Sequence, residues 1–136
     1  MIIYFDENLP VSMAEGLHTL QKPENVRNRT NFEIRSIRSV FGEGTKDEMW
    51  IPIAGQEQAC VITQDFRIQT IRHQKTLYEE HKLGMFFFRP PSRKEGYTYW
   101  QMVEITVDKW RQILEIASTE ERPFAYRFSK NILEKI

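Results

Sequence analysis

Residues 59–63 read Ala-Cys-Val-Ile-Thr, a continuous apolar run that ends in Gln64 and Asp65. A strand without polar alternation must be covered on both faces, as in a parallel sheet flanked by helices, and not in an antiparallel sheet with one wet face. Two other runs share the character: Ile2-Ile3-Tyr4-Phe5, which leads into Asp6 and Glu7, and Gly-Met-Phe-Phe-Phe from residue 84, closed by Pro90 and Pro91. A further strand is expected in the first half of 32–41, where Phe32 and Ile34 alternate with Glu33 and Arg35 before the beat slips at Ser36.

Helical patterns fill the gaps. Pro10 and a Ser12-x-x-Glu15 capping box open a helix to about Gln21, with Met13, Leu17 and Leu20 at helical spacing. Residues 22–31 are polar and read as a loop. After Gly42 and Gly44, Thr45-x-x-Glu48 has the form of a second capping box, with Asp47 in the first turn of a helix to about Gln58. A polar helix is expected over 67–82, and 98–117 carries an apolar face from Tyr99 to Ala117. The tail from Phe124 reads as a short strand and then a helical turn. Strand and helix alternate four times, the pattern of an α/β fold: three layers, α/β/α, around a mostly parallel sheet of four or five strands, as one domain over 1–136.

The chain has 136 residues, 40% hydrophobic and 28% charged, with a net charge of zero. That is the size and balance of one water-soluble domain. No apolar run approaches the roughly 18–20 residues that span a bilayer. The opening residues lack the basic and small-residue pattern of a signal peptide, and a single cysteine, Cys60, excludes an internal disulfide; both point to the cytoplasm. The charges are unevenly spread. Residues 1–21 and 47–66 carry acids and no Lys or Arg, whereas 67–94 hold seven basic residues against Glu79 and Glu80.

In parallel sheets, ligands bind beyond the carboxyl ends of the strands, near the point where the strand order reverses. Asp6 follows the first strand and Asp65 the third, so both are expected in one crevice, with Asp47 within reach. Gathered carboxylates repel and are costly to desolvate. A hard divalent cation, Mg²⁺ or Mn²⁺, offsets that cost and binds substrate phosphates. His18, His73 and His81 have no zinc spacing with Cys60, and no nucleophile motif or Gly-rich phosphate loop is visible.

The ordered set "IYFDENLP", "GTKDEMW" and "CVITQDF" resembles the PIN-like nuclease domains of bacterial toxin–antitoxin pairs, over roughly residues 2–89. The resemblance implies metal-dependent cleavage of RNA. It carries Asp6, Asp47 and Asp65 over as metal ligands, with Thr63 as the hydroxyl that steadies the acids and Glu7 in support. The middle acid is Asp47 or its neighbour Glu48. Arg67, Arg72, Lys75 and Arg89 are the cations expected to hold the RNA backbone, although a solvated helix face is the commoner origin of the first three. The partners implied are an RNA substrate, an antitoxin protein and a second copy of the chain in a homodimer.

Bland readings stand beside these. Glu7 and Asn8 suit the approach to a helix, Asp47 and Glu48 suit its dipole, and Asp65 suits a cap. Trp100 and Trp110 read as packing residues. Two other functions fit the pattern: a scaffold that keeps the fold to bind protein, and a receiver-like phosphoacceptor domain. The latter needs a lysine after a late strand, where this chain has Arg89-Pro90-Pro91.

Overall fold

The continuous apolar runs form the middle of a sheet. A computed structural model describes residues 1–64, 72–89, 91 and 95–136, excluding the side chains of 73 and 74. Its strands are β1 (Ile2–Phe5), β2 (Glu33–Ser36), β3 (Cys60–Thr63), β4 (Gly84–Phe88), β5 (Phe124–Phe128) and β6 (Leu133–Lys135). They lie in the order β2-β1-β3-β4-β5-β6; the first five are parallel and β6 is antiparallel to β5. The α/β reading holds, with six strands instead of four or five. The added strand comes from the tail, where 133–135 form a strand and not a helical turn.

The described helices are α1 (Val11–Asn28), α2 (Ile37–Phe41), α3 (Asp47–Gln56), α4 (Arg72–Glu80) and α5 (Tyr99–Thr119). Side chains alternate across the strands, which sorts the core into two clusters. On one face, Ile3, Phe5, Cys60, Ile62, Phe86, Phe88, Phe124 and Phe128 pack against Met13, Ala14 and Leu17 of α1 and Met102, Ile105, Ile113 and Ala117 of α5. On the other, Tyr4, Val61, Met85 and Phe87 pack against Ile37 of α2, Trp50, Ile51 and Ala54 of α3 and Tyr78 of α4. The Trp110 indole donates to Gln21 Oε1 at 3.0 Å, pinning α5 to α1. Among the described residues no helix is long and apolar enough to cross a membrane.

Several local expectations are corrected. α1 runs on through 22–28, a stretch polar enough to read as loop, with Pro23 inside it. Its last turn is held by tertiary bonds from Asn25, whose Nδ2 donates to the Phe32 carbonyl (2.9 Å) and whose Oδ1 accepts from Thr30 Oγ1 (2.9 Å). Neither capping box forms. Pro10 is the α1 N-cap without a side-chain bond, and Ser12 Oγ lies 3.0 Å from the Tyr99 hydroxyl. Lys46 is the α3 N-cap, while Thr45 Oγ1 turns back to the Phe41 and Gly42 carbonyls (2.8 and 2.9 Å). The slip in alternation at Ser36 has a cause: Ser36 ends β2 and caps α2, its Oγ accepting from the Ser39 amide. Trp100 is 74% exposed and is not a core residue: its ring stands edge-on to Tyr99 at 5.2 Å, at the surface beside α1.

Candidate functional site

β1 lies between β2 and β3, so the chain leaves β1 toward one side and returns to pair on the other. The ends of β1 and β3 therefore flank the switch point where such sheets bind ligands. The Asp6 amide donates to the Ile62 carbonyl at 2.9 Å, extending the β1–β3 ladder by one residue. Counting in twos from Tyr4 and Val61 places Asp6 and Thr63 on the face that α3 covers.

There the Thr63 hydroxyl donates to Asp6 Oδ2 at 2.6 Å in a buried contact, and the Glu7 amide donates to Asp6 Oδ1 at 2.7 Å. Asp6 is 8% exposed and Thr63 fully buried. A carboxylate at that depth is costly without partners, and bonds to both oxygens orient it as well as satisfy it. A third tie closes this edge: Gln64 Nε2 donates to the Asn8 carbonyl at 2.7 Å.

Asp47 and Glu48 occupy the first turn of α3, where acids suit the helix dipole. The Asp47 side chain is held by the indole of Trp50, whose Nε1 donates to Oδ1 at 3.1 Å. Trp50 is itself buried among Tyr4, Ile37 and Val61. Glu7 points elsewhere: its Oε1 accepts from the Gly44 amide at 2.8 Å, joining the end of β1 to the loop before α3.

Asp65 and Arg67 lie outside the described residues. Among the described residues no three His, Cys, Asp or Glu side chains are grouped to hold a metal ion. The donors present, Asp6 with Asp47 and Glu48, are hard carboxylate oxygens, the chemistry that Mg²⁺ and Mn²⁺ take. Of the expected RNA contacts, Arg72 is exposed at the start of α4. Lys75 stands 4.0 Å from Glu79 and lines a recess with Tyr78, Phe124 and Lys135, away from the strand ends near Asp6. Arg89 is exposed just past β4, its backbone bonded to Phe128 and to the Tyr97 hydroxyl.

Other titratable groups have structural uses. Cys60 is buried on the α1–α5 face, where burial pushes its thiol pKa up against the opposing pull of Arg122. A thiol so placed is a poor nucleophile. His18 Nδ1 accepts from the Ile34 amide at 3.2 Å, stitching α1 to β2. Sequence reasoning missed Trp50 and Gly44, which hold Asp47 and Glu7 without being acids, and Gln64, which ties the end of β3 to Asn8. The only signal for Trp50 was its spacing, one helical turn after Asp47.

No curated protein and no solved structure matches the chain. A family model described as a PIN-like domain matches residues 1–90, from β1 through β4 and across the ends of both strands that carry Asp6 and Thr63. The chain therefore belongs to the PIN-like domain family.

Proposed function

We propose that the chain is a Mg²⁺- or Mn²⁺-dependent ribonuclease, the toxin of a toxin–antitoxin pair, acting in the cytoplasm. One observation carries the reading most directly: Asp6, 8% exposed at a parallel-sheet switch point, has both carboxylate oxygens fixed by donors. Orientation of that kind serves a ligand that must be met at a set angle, and a dipole or cap role does not require it.

In this reading Asp6, Asp65 and Asp47 or Glu48 hold the cation. When bound, the cation would supply Lewis-acid chemistry at a phosphodiester. Thr63 fixes the rotamer of Asp6, and Trp50 fixes that of Asp47. Arg72 and Arg89 are the described cations assigned to the phosphate backbone; Lys75, set beside Glu79, contributes least.

The test is cleavage of single-stranded and structured RNA with Mg²⁺, Mn²⁺ or chelator, beside a folded Asp6→Asn variant. Metal-dependent cleavage lost in the variant is the expected result. Folded protein that neither cleaves nor binds metal overturns the assignment and leaves a protein-binding scaffold. Toxicity is tested separately, by growth arrest on expression of the wild type but not of Asp6→Asn.

A further inference from the structure

We propose that Glu7 is a positioning residue whose carboxylate straps the loop before α3 to the end of β1, setting where the Asp47–Glu48 turn stands relative to Asp6. For its consequence on metal binding, the proposal rests on the site assigned above.

The loop from Gly42 to Lys46 has a good deal of freedom to lose. Gly42 and Gly44 adopt φ of 99° and 77°, conformations that side-chain-bearing residues rarely take. Its internal bonds, from Thr45 Oγ1 to Phe41 and Gly42, tie it only to the end of α2. Glu43, the loop's own acid, is turned to Arg38 of α2 at 2.6 Å. The Glu7 bond to the Gly44 amide is different in kind, because it crosses 37 residues of sequence to the strand that bears Asp6. A carboxylate accepting a backbone N–H is among the stronger neutral-to-charged bonds. Gly44 stands three residues before Asp47, so movement of the loop moves the first turn of α3.

The arrangement also separates two adjacent acids by task. Asp6 receives the Glu7 amide and the Thr63 hydroxyl, while the Glu7 side chain leaves Asp6 and reaches for the loop. A ligand role would need Glu7 as an ionised carboxylate. A strap needs only an acceptor oxygen at that length, and glutamine supplies one.

The experiment compares wild type, Glu7→Gln and Glu7→Ala by two readouts: hydrogen exchange of the Gly44 amide in metal-free protein, and Mn²⁺ affinity by calorimetry. The expected result is that Glu7→Ala loses Gly44 protection and weakens Mn²⁺ about tenfold, whereas Glu7→Gln keeps protection and stays within about threefold of wild type. Equal weakening of Mn²⁺ in both variants, with Gly44 protection intact, would make Glu7 a metal ligand and overturn the strap. Unchanged protection and affinity in Glu7→Ala would also overturn the strap, and would show that Glu7 is no ligand either. If wild type binds no Mn²⁺, the metal-site assignment fails by itself, and Gly44 exchange in Glu7→Ala still decides whether the strap exists.

Discussion

The two faces of the sheet are built on different principles. The face under α1 and α5 is filled with phenylalanine: Phe5, Phe86, Phe88, Phe124 and Phe128 are all buried there. Their rings pack closely, with Phe88 and Phe128 tilted at 4.4 Å between centroids and Phe86 and Phe124 edge-to-face at 5.4 Å. The face under α2, α3 and α4 has an apolar core too, and within it polar bonds reach carboxylates: Tyr4 hydroxyl to Glu57 (2.6 Å), Trp50 indole to Asp47, and Thr63 to Asp6. Burial is non-directional and tolerates small shifts, whereas a hydrogen bond fixes an angle. Both faces therefore supply stability, and the second also aims carboxylates.

The largest effect expected is from Phe86→Ala. Removing a fully buried ring from the first face costs about 3–5 kcal/mol by urea denaturation, and the protein that remains folded keeps its Mn²⁺ affinity. A changed affinity would break the division between the faces. Trp50→Phe comes next, at about 2–3 kcal/mol for lost volume and a lost bond to a charged group. Here Mn²⁺ affinity falls several-fold, because Asp47 Oδ1 loses the indole N–H that orients it; calorimetry on the folded variant measures it.

Gly55→Ala sharpens the picture within the second face. A Cβ at Gly55 would stand 2.4 Å from the His81 carbonyl oxygen, so the C-terminal end of α3 or the turn after α4 must move. Overpacking against backbone costs about 1–3 kcal/mol, read as a lowered urea midpoint. The smallest effect is silent at neutral pH. Burial first, and then the Glu57 carboxylate, push the Tyr4 phenol from 10.0 to about 12. A raised folded pKa means that the stability it adds is complete below pH 10 and lost as pH rises toward about 12. Wild type should lose stability more steeply than Tyr4→Phe across that window, in denaturation curves taken at successive pH.

How much of this was legible follows the same division. β1, β3 and β4 were readable because strands covered on both faces admit only apolar residues, and Phe86, Phe87 and Phe88 are all core. Asp6 was readable because it follows such a strand directly. The end of α1 was not: residues 22–28 carry no apolar stripe, and their helix depends on Asn25 bonding to residues beyond it. Both capping-box patterns matched in composition and failed in use, since Ser12 and Thr45 found other partners. Pairwise motifs record what a residue can do locally, and tertiary neighbours decide which option is taken. Trp50 and Gly44 were invisible as site residues because their contribution is a donor N–H, one of them from the backbone.

The sheet continues past the segment that carries the family signature, and this bears on portability. The family match stops at residue 90, just after β4, yet β4 is buried along its whole length because β5 pairs with it from Phe124 to Phe128. Cut at that boundary, the segment would expose a five-residue hydrophobic edge, a template for uncontrolled strand addition. The tail removes that hazard and then ends the sheet itself: β6 is three residues long, Leu133–Lys135, and carries Glu134 and Lys135. The unit that evolution or an engineer could transplant intact is thus longer than the unit by which its kinship is recognised.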